Sequence, residues 1–347
     1  MSDRKIVATD YLADDLEWER EEIEKRGGVF EYYEMKFAGE DELYEKINDA
    51  GLVYVNMAKF PGSLIRRLKQ CKRMLRYGIG YDNVDVKACT EMNILFSNIP
   101  DYCSEVVAEH AIALIFAAAR KIYQMRQRMP EAAKTGDWDF QPVLPFFRLE
   151  GKVLGIVGCG RIGSRLLKKV SAMDMKIMVC DPYLTEERKR ELGIETHSLE
   201  EVLKEAHVVS LHTPLNDETH HLIDEPQLKL MKKTAFLVNT SRGGVVKSKA
   251  LMKALREGWI AGAGIDVVEG REPPEPESEW YQTPNLLLTP HMAWYSEESR
   301  WSLREKILDE CIRFLEDRPP RYLVNMEVLD RIPDGHSRYT PEFGPGV

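Results

Sequence analysis

The residues best suited to chemistry are an arginine, a histidine and a group of glutamates, each following an apolar run. Arg242 lies in NTSRGG, Glu272 lies in EGREPPEPE, and His291 follows NLLLTP. An arginine fork binds a carboxylate at two points, and a histidine exchanges protons near neutral pH. A carboxylate beside the histidine orients it and favours its protonated form. These types together favour hydride-transfer chemistry at a carbonyl group that lies next to a carboxylate.

Each candidate has an alternative interpretation. Arg242 could form a surface salt bridge, but its place in a glycine loop after an apolar strand favours function. Glu269, Glu275 and Glu277 compete with Glu272 within a run of acids and prolines, whose alternative is a solvated loop. The histidines in or beside the 207–221 strand-loop segment are interpreted as structural; they are His207, His212, His220 and His221.

A glycine-rich turn at KVLGIVGCGRIG, residues 152–163, predicts where a cofactor binds. The apolar run 153–157 leads into Gly158, Gly160 and Gly163, and a helical segment follows. Such glycines permit a tight strand-to-helix turn, close approach to a pyrophosphate and close helix packing. The next apolar run ends at Asp181, 18 residues after Gly163, where a dinucleotide fold places its ribose-binding acid. The alternative is a glycine-rich turn in some other α/β sheet.

The cofactor prediction extends to the ends of the later strands, because ligands bind beyond the carboxyl ends of a doubly wound sheet. Asp181 would accept both ribose hydroxyls and repel a 2'-phosphate, and no arginine or lysine directly follows it. NAD is therefore predicted in preference to NADP. The predicted cofactor-binding residues are Gly158, Gly160, Arg161, Ile162, Gly163, Asp181, Thr213, Pro214, Thr240, Ser241, Asp266 and His291.

Composition excludes several classes of protein. The formal charge of -9 with no basic stripe argues against nucleic-acid binding. The longest apolar run, 111–119, is too short to cross a membrane, and no signal-peptide core follows the first residues. Six scattered cysteines lack metal-site spacing and are predicted to be buried free thiols. We expect a cytoplasmic protein without a metal site.

The order of apolar runs predicts an α/β protein of two domains. Strands and helices alternate over 4–101, and a longer βαβ series covers 151–294, which indicates two parallel sheets. One long helix over 104–125, capped by Ser104 and buried on both sides, is predicted to bridge the domains, with His110 as a core or interface residue. An amphipathic helix over 296–316 is predicted to return the chain.

These elements define the predicted boundaries. Residues 1–101 with 296–327 form the substrate domain, and residues 102–295 form the NAD-binding domain. Residues 328–347, which lack periodicity, are predicted to be a loose or partner-packed extension.

Five motifs carry a family resemblance: GIVGCGRIG, LHTPLNDETHHLI, NTSRGGVV, GIDVVEGREP and LTPHMAWYSE. In this order they resemble the D-isomer-specific 2-hydroxyacid dehydrogenase family over residues 4–325. The resemblance implies a Rossmann domain inserted in a flavodoxin-like domain, with Arg242 catalytic and His291 as acid/base. The family glutamate matches Glu272, although it lies one residue further from Asp266 than the commonest spacing, so Glu269 stays an alternative.

The resemblance also implies a substrate site. Backbone N–H groups of Gly78, Ile79 and Gly80 would bind the substrate carboxylate together with Arg242. PHMAWYSE resembles the C-terminal-binding-protein corepressor branch, in which the tryptophan matching Trp294 lines the substrate pocket. A homodimer is implied, with contacts through the bridge helix and the arm near Trp138.

The predicted function is therefore NAD(H)-dependent interconversion of a 2-keto acid and a D-2-hydroxy acid. An NADH-sensing, corepressor-like binding protein with weak turnover is the main alternative. Phosphite oxidation on a related scaffold is another.

Overall fold

The computed structural model describes residues 4–136, 138–144 and 146–339. The chain divides into two compact units, Met1–Tyr102 with Ser296–Val347 (unit 1) and Cys103–Tyr295 (unit 2). It passes from the first to the second after Tyr102 and returns after Tyr295.

Unit 1 contains a five-stranded parallel sheet covered by helices. Its strands have the order β2-β1-β3-β4-β5, the arrangement of a flavodoxin-like sheet. Strand β3 is buried throughout, as its apolar sequence LVYV requires. The strands are β1 (Lys5–Ala8), β2 (Val29–Tyr32), β3 (Leu52–Val55), β4 (Arg73–Arg76) and β5 (Leu95–Ser97), and the helices between them are α1 (Glu17–Glu24), α2 (Glu40–Ile47), α3 (Gly62–Ile65) and α4 (Val86–Glu91).

Unit 2 begins with two helices and continues as a βαβ series around a six-stranded parallel sheet. The strand order is β11-β10-β9-β8-β6-β7, so the winding direction reverses between β6 and β8. A ligand site is expected at this reversal. The helices are α5 (Ser104–Ala119), α6 (Ile122–Thr135), α7 (Arg161–Val170), α8 (Glu186–Leu192), α9 (Leu199–Glu205), α10 (Glu225–Leu230) and α11 (Ser248–Arg256), and the strands are β6 (Val153–Val157), β7 (Lys176–Cys180), β8 (Val208–Leu211), β9 (Phe236–Asn239), β10 (Gly262–Ile265) and β11 (Leu286–Leu288).

The predicted bridge helix is wrong in three respects. It is broken at Lys121, which adopts a left-handed conformation at φ 50° between α5 and α6. Its N-cap is Cys103 rather than Ser104, and no side chain caps it. Only one face of α5 is buried within the described chain, since Phe116 on the other side is exposed. The apolar stripe ends before Arg120, and the following polar segment forms the separate helix α6, which carries no buried residue.

The C-terminal part of unit 1 is a long helix followed by a packed segment. Helix α12 (Glu297–Leu315) begins at a capping box formed by Ser296 and Ser299. Residues 328–339 were predicted to be loose or packed on a partner, but Val328 and Leu329 are buried against Leu95 of the same chain, and the short helix α13 (Gly335–Arg338) follows. The apolar residues of this segment do not recur at helical or strand spacing, so the sequence did not indicate that they pack. The rest of the predicted extension, 340–347, lies outside the described residues.

The predictions made from composition, on membrane spans and on cysteines, can be compared with the described residues. None of the helices there is both long and apolar enough to span a bilayer. All six cysteines are free thiols, and all except the half-buried Cys180 are buried.

Candidate active site

The glycine turn lies at the reversal of the unit 2 sheet, directly after β6. Gly158 has φ +87°, and a Cβ there would lie 2.8 Å from the carbonyl group of His212. A Cβ on Gly163 would lie 2.1 Å from the carbonyl oxygen of Gly158, so helix and strand approach too closely for a side chain. Among the described residues, no atom beyond the chain neighbours lies within 4 Å of a Cβ built on Gly160. The turn is therefore closed towards the protein and open at Gly160, as a dinucleotide-binding turn requires.

Helix α7 begins at this open side. Gly160 is its N-cap and, being a glycine, has no side chain to cap the helix, and Arg161 and Ile162 lie in its first turn. The first backbone N–H groups of a helix have no partner within it, and the helix dipole adds positive potential there. This end of α7 can therefore bind an anionic group such as a pyrophosphate.

Asp181 follows β7 and faces the glycine turn. One carboxylate oxygen accepts a hydrogen bond from Cys159 N at 2.8 Å, and the other accepts one from Tyr183 N at 3.0 Å. These bonds orient the carboxylate and leave each oxygen a further lone pair. Two ribose hydroxyls can donate to those lone pairs.

Two buried hydroxyls fit a bound polar ligand. Within the described residues, Oγ1 of Thr213 and Oγ1 of Thr240 have no hydrogen-bond partner. Thr213 N lies 3.0 Å from the position of a Cβ on Gly158, which places this residue beside the glycine turn. The next residue, Pro214, accepts the Thr219 hydroxyl through its carbonyl oxygen at 2.6 Å. Buried polar atoms normally have a partner, so these hydroxyls and the open turn fit a nicotinamide dinucleotide.

His291 and Glu272 are paired. Nδ1 of His291 lies 2.6 Å from Oε2 of Glu272, and Oε1 of Glu272 accepts a hydrogen bond from Val268 N at 2.9 Å. An ionised carboxylate only accepts hydrogen bonds, so Nδ1 carries the hydrogen and Nε2 is the nitrogen that can exchange a proton. The imidazole is 32% exposed and the carboxylate 19%. His291 has φ 53°, an uncommon conformation for a residue with a side chain.

Glu269, the alternative partner, points elsewhere. Its Oε1 lies 2.5 Å from Nε2 of His221, and its Oε2 accepts a hydrogen bond from Ser248 N at 3.1 Å. Of the two glutamates, Glu272 is therefore the one that contacts His291.

Arg242 lies in a loop that is organised by Asn239 at the end of β9. The buried Asn239 accepts hydrogen bonds from Ser241 N at 3.0 Å and Ser241 Oγ at 2.8 Å, and it donates to the Arg242 carbonyl at 2.9 Å. Nη1 of Arg242 donates to the Ser241 carbonyl at 2.8 Å. The half-buried guanidinium therefore lies on a hydrogen-bonded loop at the same sheet edge as β10 and β11, which lead to Glu272 and His291.

Comparisons with known proteins identify the family. The family model for the NAD-binding domain of D-isomer specific 2-hydroxyacid dehydrogenases matches residues 112–293. A glyoxylate reductase of Korarchaeum cryptofilum is 39% identical over 294 residues, covering 84% of this chain and 88% of the relative. The chain belongs to the D-isomer specific 2-hydroxyacid dehydrogenase family.

Other family members are similarly close. A glyoxylate reductase of Thermococcus litoralis is 39% identical over 298 residues, covering 84% of this chain and 88% of that one. A D-lactate dehydrogenase of Aquifex aeolicus, solved with NAD and lactic acid, superposes with a TM-score of 0.80 at 29% identity, covering 90% of this chain and 95% of that chain. This dehydrogenase is thus an enzyme of 2-hydroxyacid chemistry that uses a nicotinamide dinucleotide. The narrower resemblance to the corepressor branch stays a prediction.

Sequence reasoning missed how this dehydrogenase holds the segment that carries His291. The buried carboxylate of Asp266 accepts hydrogen bonds from Thr289 Oγ1 at 2.5 Å, Met292 N at 3.0 Å and Ala293 N at 2.9 Å. Burial alone would raise the pKa of Asp266, but these bonds and His110 outweigh it and lower the pKa to about 2. Asp266 was predicted to bind cofactor, and its present contacts hold segment 289–293 in place.

His110 and Asn239 also hold segments of the site in place, and the sequence did not predict these contacts. Nε2 of His110, on α5, lies 3.1 Å from Thr289 Oγ1, which in turn donates to Asp266. A histidine on an apolar helix gave no signal for this contact. The position of Asn239 directly before Thr240 was the available signal, because short amides at strand ends often organise loops.

The remaining predicted substrate residues lie in separate parts of the chain. In unit 1, Gly78 has φ +140°, and its carbonyl accepts a hydrogen bond from Ile99 N at 3.0 Å. The Ile79 carbonyl accepts one from Asn98 Nδ2 at 2.7 Å, and Gly80 follows. In unit 2, the half-buried Trp294 packs edge-on against Tyr295 with ring centroids 5.4 Å apart.

Proposed function

We propose that this dehydrogenase reduces small 2-keto acids, glyoxylate among them, to D-2-hydroxy acids with NADH. The observation that carries the proposal is the His291–Glu272 pair at 2.6 Å, anchored by the Val268 N–H group. A histidine held in one tautomer by a carboxylate is suited to general acid–base catalysis.

The protein residues have separate tasks in the proposed reaction. Arg242 binds the substrate carboxylate with its planar guanidinium. When bound, the reduced nicotinamide supplies the hydride that adds to C2 of the keto acid. Nε2 of His291 donates a proton to the carbonyl oxygen, and Glu272 stabilises the imidazolium before that transfer. In the reverse direction, neutral His291 accepts the hydroxyl proton.

The cofactor choice and the second carboxylate contact are further parts of the proposal. Asp181, oriented beside the glycine turn, favours NADH because it would repel a 2'-phosphate. The backbone N–H groups of Gly78, Ile79 and Gly80 are proposed from the family resemblance. The preference for a small keto acid comes from the glyoxylate reductases to which the chain is similar.

The test is NADH oxidation with glyoxylate, hydroxypyruvate, pyruvate, phenylpyruvate and branched 2-keto acids. We expect turnover of glyoxylate and a loss of about 10²–10⁴-fold in kcat for His291→Gln. His197→Gln changes a histidine outside the proposed site and should leave kcat unchanged. Retention of most turnover by His291→Gln would remove His291 from the mechanism, and strong preference for phenylpyruvate would contradict the substrate assignment.

The alternative function, an NADH-sensing binding protein, has one supporting observation, the PHMAWYSE resemblance. The paired His291 and Glu272 favour turnover instead, because a sensor has no need of a proton donor. Negligible turnover across the keto-acid panel, with NADH binding retained, would favour the sensor.

We also propose a homodimer. The segment after α5 exposes several large apolar side chains, among them Trp138, which is 86% exposed, Ile122 and Phe140. Contiguous exposed apolar residues are typical of interfaces. Light scattering after size exclusion should give twice the 40.0 kDa chain mass, and Trp138→Ser should shift the mass towards that of a monomer.

A further inference from the structure

Three side chains with metal-binding atoms converge in unit 2 outside the residues proposed for catalysis. The ligand atoms of His220, His221 and Glu269 all lie within 4.8 Å of one another. The two imidazoles stack with centroids 3.9 Å apart, and Nε2 of His221 lies 2.5 Å from Oε1 of Glu269. The sequence alone does not indicate this group of three side chains, because Glu269 is far from the two histidines along the chain.

The donor set matches one class of ion. Two imidazole nitrogens and one carboxylate oxygen suit Zn²⁺ or Co²⁺, whereas Mg²⁺ and Ca²⁺ prefer oxygen ligands. Three protein ligands leave a fourth position for water. The exposed His220 makes the group accessible from solvent.

The backbone holds these residues in place. The second carboxylate oxygen of Glu269 accepts a hydrogen bond from Ser248 N at 3.1 Å. His220 N donates to the Asn216 carbonyl, and His221 N donates to the Gly244 carbonyl, each at 2.8 Å. Outer contacts of this kind orient ligands and increase metal affinity.

We propose that His220, His221 and Glu269 bind one transition-metal ion of the Zn²⁺ type. Nε2 of His221 coordinates in the tautomer whose hydrogen is on Nδ1. Because bonds from Zn²⁺ to nitrogen and oxygen are each about 2.0–2.2 Å long, Nε2 of His221 and Oε1 of Glu269 move apart as the ion replaces the hydrogen between them. His220 turns its ring to complete the set.

The position of the site gives the ion a structural effect. Gly244, bonded to His221, lies two residues after Arg242, and Glu269 lies three residues before Glu272. A bound ion therefore ties together the two loops that carry Arg242 and Glu272. Since a ligand that binds only the folded state stabilises it, the ion should raise Tm.

The experiment is a Co²⁺ titration of the untagged, chelator-treated chain, followed by visible absorption, with Zn²⁺ as competitor. We expect one Co²⁺ per chain, the intense bands of four-coordinate Co²⁺ and displacement by Zn²⁺. His220→Gln and Glu269→Gln should each weaken binding by at least about 10-fold. Glu269→Gln can keep the hydrogen bond to His221, and His220→Gln changes an exposed side chain, so both variants should fold.

The control is His336→Gln, which removes an exposed histidine that pairs with Asp330 in unit 1. It should bind Co²⁺ as the parent does. The proposal is overturned if the parent shows only weak six-coordinate spectra, or if His220→Gln binds with unchanged affinity. Because the readout is metal binding, this result is independent of whether glyoxylate is reduced.

Discussion

Replacing Gly243 by alanine tests whether the loops of Arg242 and Glu272 depend on each other. A Cβ on Gly243 would lie 2.0 Å from the carbonyl carbon and oxygen of Val268 and 2.4 Å from Glu269 N. Ordinary van der Waals contact begins at 3.4 Å. The two backbones must therefore separate by roughly 1.4 Å, since neither obstacle is a flexible side chain.

The displacement reaches the proposed proton donor through two hydrogen bonds. Val268 N holds Glu272, and Glu272 holds His291. A misplacement of 1 Å at reacting groups can cost about 10²-fold in rate, and overpacking costs about 1–3 kcal/mol of stability. We expect Gly243→Ala to lower kcat by about 10²-fold and to lower Tm.

The assay is steady-state reduction of glyoxylate by NADH together with thermal unfolding. Gly39→Ala is the matched control, because nothing lies within 4 Å of a Cβ on Gly39. If Gly243→Ala loses stability but keeps kcat within about 3-fold of the parent, well short of the expected loss, this contact does not position the proposed catalytic residues.

Three further predictions concern single carboxylates. Glu272→Gln should lower kcat for keto-acid reduction, measured at saturating substrate, by about 10²–10⁴-fold, because the imidazolium loses its stabilising charge. Asp181→Ser should lower the preference for NADH over NADPH by about tenfold or more, measured as the ratio of kcat/KM values, because the repelling charge is gone. Burial raises the pKa of Glu310 from 4.5 to about 7, so the folded chain retains a proton that the unfolded chain releases, and stability falls as pH rises from 4.5 to about 7. Glu310→Gln should reduce this decline in Tm, whereas Glu305→Gln, on the exposed side of α12, should leave it unchanged.

The strands were predicted most closely where burial is complete. The predicted apolar run 153–157 coincides with β6, and within the alternating region 4–101 the apolar sequence LVYV forms β3. A parallel strand covered on both faces needs a short continuous apolar run, which is visible without any neighbour. Strand β2 at the sheet edge has a partly exposed, mixed sequence and was not predicted.

The break between α5 and α6 lacks the residues that usually mark a helix end. Neither Arg120 nor Lys121 is a glycine or proline, the usual residues at a helix end. Pro130 lies within α6 rather than at its end. The break coincides with the change from α5, which buries one face, to α6, which carries no buried residue.

The site residues were predicted by type and strand end, but their pairing required the fold. Glu269 and Glu272 lie three residues apart in one loop, and both are glutamates near a strand end. Ser248 N, at the start of α11, donates a hydrogen bond to Glu269. Val268 N, within the loop itself, donates one to Glu272. Backbone N–H groups carry no sequence signature, since every residue except proline has one. His291, in a left-handed conformation, contacts Glu272 rather than Glu269, so the identity of the proposed catalytic carboxylate depends on backbone conformation rather than on residue type.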